Sequence, residues 1–205
     1  MQLVSDGINQ LLVDRIDQLL DSKDRVVVAI DGNSTAGKST LSAALKEAYS
    51  CNVISTDHFF LSPDKRTPER LSQPGGNIDH ERFLDQIIVP LRNGEQFSYC
   101  PYDCQFDRLA EPVVIDPNPL VIVEGVYSMH PVFSYDLADH PETGIYDLTV
   151  FLQIDADEQK RRLTQRNPHL FERFVNEWIP LENSYFEHFR IAEKCDFVFK
   201  GSGQC

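Results

Sequence analysis

The chain has 205 residues, 41% apolar and 25% charged, which fits one globular domain with a proper core. Nineteen Lys and Arg against 32 Asp and Glu give a net charge of −13, which argues against a general nucleic-acid or anionic-membrane surface. No apolar run reaches about 18 residues and the start lacks a signal-peptide layout, so a soluble, cytoplasmic protein is expected. The five cysteines (51, 100, 104, 195, 205) are odd in number and scattered, as for reduced thiols; Cys100 and Cys104 lack the second pair that a metal site needs.

Residues 1–22 read as a leading amphipathic helix, with Leu3, Val4, Ile8, Leu11, Leu12, Ile16, Leu19 and Leu20 at helical spacing. A strand from Arg25 to Ile30 feeds Gly32-Asn33-Ser34-Thr35-Ala36-Gly37-Lys38-Ser39, which fits GxxxxGK[ST], and Thr40 continues into the helix-former run LSAALKEA. A strand, a glycine loop and a helix start in that order form the context a phosphate cradle requires. Gly32 and Gly37 allow turns that a Cβ would resist, so successive N–H groups can point at phosphate oxygens, and the helix N-terminus adds its positive end. Residues 32–40 are therefore candidate nucleotide-binding positions, with Lys38 for the β- and γ-phosphates and the Ser39 hydroxyl for Mg²⁺. The bland alternative is a glycine turn that binds nothing.

Further along, Asn52 to Thr56 makes a short second strand ending at Asp57, where open α/β sheets bind ligands. Asp57 is a candidate base or metal partner, against a plain capping role. Residues 62–79, rich in Pro and Gly, read as a long loop, followed by a helix from His80 to about Arg92. Within 93–116, two Pro-containing apolar stretches suggest an irregular hairpin inserted on the sheet. Leu120 to Val123 is a buried strand ending in Glu124, suited to help hold Mg²⁺. Leu148 to Ile154 is the fourth core strand, and a basic helix up to Pro168 follows it. Its Arg162 and Arg166 share one face, within a lid region at 160–175. A long helix from Glu172 to about Glu193 and a last strand, Cys195 to Phe199, complete a parallel α/β sheet covered on both faces. Right-handed crossovers then put Asp57 and Glu124 at the loop's rim.

The ordered set GNSTAGKS, STDHFF, NIDHERF, PYD, VIVEG, DLTVFLQIDADEQKRRLTQR and CDFVFKG, covering nearly the whole chain after residue 25, resembles the uridine kinase and phosphoribulokinase group of P-loop small-molecule kinases. The resemblance implies a three-layer α/β P-loop fold with strand order 2-3-1-4-5, use of ATP and Mg²⁺, a small-molecule substrate, and membership of a group that is often oligomeric. It also implies residue roles. Asp57 matches the acid that activates the substrate hydroxyl, and Glu124 and Ser39 match the metal-proximal acid and hydroxyl. Phe60, Asp79 and Tyr102 fall in the substrate region, while Arg162 and Arg166 match lid arginines around the transferring phosphate.

Phe60 replaces a usual Tyr, Ile78 an aromatic and Asp107 a base-contacting His, all expected on the acceptor's base side. DHFF and WIPLENSYF resemble, more loosely, ribosylnicotinamide and pantothenate kinases. The expected activity is transfer of the γ-phosphoryl group to a primary hydroxyl. The acceptor stays open between a pyrimidine nucleoside and ribosylnicotinamide, pantothenate or a sugar phosphate. A nucleotide-dependent regulatory ATPase is the reading from another class; the chain lacks the NKxD motif common in guanine-specific switches.

Overall fold

The structure is a computed structural model that describes residues 9–135 and 144–200. Five strands form one parallel sheet: β1 Val26–Gly32, β2 Asn52–Ser55, β7 Leu120–Glu124, β8 Leu148–Gln153 and β9 Phe197–Lys200, in the order β2-β7-β1-β8-β9. Counting core strands alone, this is the expected 2-3-1-4-5. Between β2 and β7 lie two small antiparallel pairs, β3 Phe97–Tyr99 with β6 Val113–Ile115 and β4 Tyr102–Asp103 with β5 Arg108–Leu109. The central strands are buried on both faces, so they read as unbroken apolar runs rather than alternating ones.

Register decides where function can sit. Ile30 and Ser55 both pair with Glu124, and Gly32 pairs with Leu152, so the carboxyl ends of β1, β2, β7 and β8 finish at one level. Two apolar clusters cover the sheet. One contains Phe59, Phe83, Ile87, Phe133 and Tyr185; the other contains Leu12, Ile16, Leu19 and Leu45.

The leading helix spans Gln10–Leu20, capped by Asn9, whose side chain accepts from Leu11 N–H. Leu12, Val13, Ile16 and Leu19 face inward, whereas Leu11 is 64% exposed: it lies on the flank of the stripe, not in it. Leu3, Val4 and Ile8 lie outside the described residues.

The stretch 62–79 is not purely a loop. It contains a 3-10 turn, Pro63–Lys65, and a short helix, Pro68–Leu71, capped by Thr67. The two later helices each carry a wide turn that helical periodicity does not reveal. His80–Phe83 runs through a π-helical Leu84–Ile88 into Val89–Asn93, and Phe171–Arg173 runs through a π-helical Phe174–Trp178 into Ile179–Phe189. Each wide turn ends two residues before a proline, Pro90 or Pro180. Proline cannot donate to the carbonyl four residues back and its ring presses on it, and shifting the preceding bond to i→i+5 relieves the crowding.

Candidate active site

β1 runs into the loop against β8. A Cβ on Gly32 would stand 2.1 Å from the Leu152 carbonyl oxygen, and its φ of +136° is strained for any L side chain. The carbonyls of Gly32, Asn33, Ser34 and Thr35 are tied back one by one. Lys38 Nζ donates to Gly32 O (2.7 Å) and Asn33 O (3.0 Å), Gln159 Nε2 to Ser34 O (3.2 Å), and Arg162 Nη1 to Thr35 O (3.0 Å). The N–H groups of Gly32, Asn33, Ser34 and Ala36 are also bonded within the protein, to Asp31, the Leu152 carbonyl, Glu182 and the Asn33 carbonyl, so the N–H groups offered to an anion are those at the start of the helix that follows. Thr35 sits at φ 63°, a costly conformation for a β-branched residue, and its Oγ1 is buried without a partner.

Helix Lys38–Tyr49 begins at Gly37, left-handed at φ 106° and with no side-chain cap. Its first N–H groups are left for an anion. A Cβ on Gly37 would meet nothing within 4 Å, so open space borders the loop there.

Glu124 ends β7 beside the loop, with Ser39 Oγ 3.4 Å from its Oε2. Burial raises the Glu124 carboxyl above its ordinary range, and the charge of Asp57 adds to the rise. Asp57 lies in the turn Thr56–Phe59 and is exposed, with its N–H bonded to Ser55 Oγ. Thr56 Oγ1 donates to Val126 O (2.9 Å), fastening that turn to the end of β7. Ser39 and Glu124 thus meet directly, and Asp57 follows the end of β2 whose last residue, Ser55, pairs with Glu124. This donor set fits Mg²⁺, which takes one or two carboxylates and fills its shell with water and substrate phosphate. Among the described residues no three His, Cys, Asp or Glu side chains form an all-protein cage.

Two acids at the loop escaped the sequence reading. Asp31 is fully buried; Gly32 N–H (2.7 Å), Met129 N–H (3.1 Å) and the Tyr185 hydroxyl (2.8 Å) donate to it. Glu182, 4% exposed, accepts from Ser34 N–H at 3.0 Å and from the Ser34 hydroxyl. Burial raises its carboxyl, and Ser34 and Lys38 oppose the rise. Helix Ile179–Phe189 therefore grips the loop through Glu182 and Tyr185. Both are on its inward stripe, and a Glu there was the available signal.

Phe60, Asp79 and Tyr102 come together around a cavity of about 310 Å³ that Ser62, Lys65, Arg82, Asp107, Arg108 and Leu109 complete. Asp79 caps the helix beginning at His80, with Arg82 N–H 3.2 Å from its Oδ1, and Lys65 Nζ lies 2.9 Å from its Oδ2. Tyr102 donates to Asp107 at 2.7 Å. Ile78 is a correction: it is fully buried in the core and bridged to Phe60, so it does not face an acceptor. Arg162 bonds Glu158 as well as the loop, while Arg166, at the end of the same helix, is exposed. A larger hollow of about 780 Å³ lies at the opposite rim, lined by residues such as Asp24, Arg25 and Asn52 at strand starts; volume alone does not locate the chemistry.

No family model matches the chain. It is 26% identical over 176 residues to the uridine kinase of Staphylococcus epidermidis, covering 78% of this chain and 81% of that one. The uridine kinase of Macrococcus caseolyticus gives 26% identity, with 78% and 82% covered. Among solved structures, a possible uridine kinase from Bacillus stearothermophilus superposes with a TM-score of 0.60 at 23% identity, covering 92% and 98% of the two chains. A putative fructose transport system kinase from Silicibacter gives 0.63 at 21%, covering 92% and 98%. Phosphoribulokinase from Rhodobacter spheroides gives 0.52 at 12%, covering 86% and 70%. These structures share the fold.

Proposed function

We propose that this chain, a P-loop kinase by its fold and similar to uridine kinases over most of its length, moves the γ-phosphoryl group of ATP to a primary hydroxyl of a small metabolite. One observation carries the reading: Lys38, Ser39, Asp57 and Glu124 gather at one rim, around a loop whose carbonyls are tied back. The whole chain, 1–205, serves as one kinase domain, with the hairpins at 93–116 on the acceptor side and 160–175 as the lid.

The amides at the start of the helix and Lys38 bind the phosphate tail and hold it in line. Phosphoryl transfer passes through a loose transition state with charge spread over the phosphoryl oxygens, so positioning and charge neutralisation do most of the work. Ser39 and Glu124, with Asp57 nearby, would hold Mg²⁺, which would supply further positive charge to the phosphate tail. Asp57, exposed at the rim, orients the acceptor hydroxyl and accepts its proton as the new P–O bond forms. Arg162 keeps the Thr35 carbonyl turned away, and Arg166 lies one turn on, in reach of a closing lid. Segment 168–173 closes to exclude water and so limits hydrolysis of ATP.

The acceptor reading starts from a nucleoside-like 5′-hydroxyl, supported by the similarity to uridine kinases. Phe60 and Asp107 at the acceptor cavity favour widening it to other small metabolites. The test is ADP release with Mg²⁺ and ATP across uridine, cytidine, ribosylnicotinamide, pantothenate and sugar phosphates. Release that requires one of these supports a kinase; equal release with no acceptor present favours a regulatory ATPase.

A further inference from the structure

The cavity that Phe60, Asp79 and Tyr102 line carries more cationic than anionic side chains. Its lining carries Lys65, Arg82 and Arg108 against Asp79 and Asp107, an excess of one positive charge in a chain of net charge −13. Arg66 stands just behind, its Nη2 3.3 Å from the Tyr102 hydroxyl and its guanidinium over the Tyr102 ring.

The two carboxylates are already committed. Asp79 is 5% exposed, gives one oxygen to the helix cap and the other to Lys65, and has Arg82 Nε at 3.7 Å. Asp107 takes the Tyr102 hydroxyl and lies 3.5 Å from Arg66. It ends the β4–β5 turn with a left-handed φ of 48°, immediately before Arg108. Arg82 is also spent: its two Nη groups donate to the carbonyls of Cys100 and His58, each at 2.7 Å.

Lys65 is different. Its side chain is 49% exposed and its ammonium uses one of three N–H groups on Asp79, and the Arg108 guanidinium lies over the exposed Phe106 ring. Two of the three Lys65 N–H groups are not used on Asp79, and an acceptor with a single anionic group would engage them and offset the excess positive charge of the lining.

We propose that the acceptor is a small hydroxylated metabolite carrying an anionic group, a carboxylate or a phosphate monoester, which Lys65 and Arg108 receive while its free hydroxyl lies at Asp57. This deepens the kinase reading and rests on it. Phe60 and Leu109 supply the apolar contact for the body of the molecule. Asp57 and Phe60 belong to one short turn, which brings the Asp57 end of β2 to this wall.

The experiment measures kcat/KM by ADP release for matched acceptors that differ in one charge. The pairs are ribosylnicotinamide and ribosylnicotinate, pantothenyl alcohol and pantothenate, and ribulose and ribulose 5-phosphate. The anionic member of at least one pair is expected to win by about tenfold or more, the scale of a charge-assisted hydrogen bond. The carboxylate and phosphate pairs tell the two sources apart.

Lys65→Met is expected to remove most of that preference through KM of the anionic member, and Lys65→Arg to restore it. Arg108→Met, on an exposed residue, repeats the test if Lys65→Met disturbs the fold around Asp79. Equal or better turnover of the neutral members, or a preference untouched in both Met variants, overturns the proposal and leaves the kinase reading standing. No phosphorylation of any member, with ATP consumed at the same rate without acceptor, overturns both.

Discussion

Replacing Asp31 with Asn tests how the loop is anchored. Asp31 is fully enclosed, and burial pushes its carboxyl from 3.8 to about 6, because lost hydration outweighs Gly32 N–H, Lys38, Tyr185 and Met129 N–H. A carboxyl whose folded value lies above its unfolded one holds a proton more tightly in the folded state between the two. Its contribution to stability is therefore greatest below about pH 4 and falls as pH rises through about 6, where the loss is complete. From 3.8 to about 6 the change amounts to ~3 kcal/mol.

The Asn side chain does not titrate. It keeps an acceptor for Gly32 N–H but turns donors toward Met129 N–H and the Tyr185 hydroxyl, a pH-independent cost of about 1–3 kcal/mol. Urea unfolding of both proteins between about pH 4 and about pH 7.5 isolates the titration, since every other group titrates in both. The variant should gain on the wild type by ~3 kcal/mol across that window. A gap that stays constant with pH, or moves the other way, refutes the reasoning.

Other perturbations follow from the same geometry. Gly125→Ala would place a Cβ 2.0 Å from Thr56 Oγ1 at a φ of +130°, so it should lose ~3 kcal/mol by thermal unfolding and be partly rescued by Thr56→Ala; an unchanged Tm contradicts this. Glu182→Gln removes a buried negative charge from the loop while keeping its size, and calorimetry should find Mg–ATP binding tightened by about fivefold. Weaker binding would instead mean that the carboxylate preorganises the loop. Lys38→Ala frees the Gly32 and Asn33 carbonyls and should reduce both ATP binding and turnover; unchanged kinetics count against the loop as the phosphate site.

The legible part of the site is the part written locally. Gly32 to Ser39 is contiguous, Glu124 directly follows an apolar run whose register brings it to the loop, and Asp57 comes two residues after the end of β2, which pairs at the same level. Glu182 touches Ser34 across 148 positions of chain, and Asp31 meets Tyr185 across 154. Roles created by tertiary packing leave little local trace. Asp31 had one available sign, an acid at the end of a strand buried on both faces. The π turns had another, a proline inside each helical pattern. Leu11 and Ile78 show the limit of periodicity and motif position: the first repeats with the buried stripe yet faces outward, and the second is core rather than acceptor wall.

The most direct measurement compares Asp57→Asn with the wild type in two assays, calorimetric binding of Mg–ATP and acceptor-dependent ADP release. The account predicts that the variant still binds nucleotide while its turnover falls by roughly a hundredfold or more, the scale of a lost general base. Near-normal turnover in the variant, or a wild type that takes up no Mg–ATP, would contradict it.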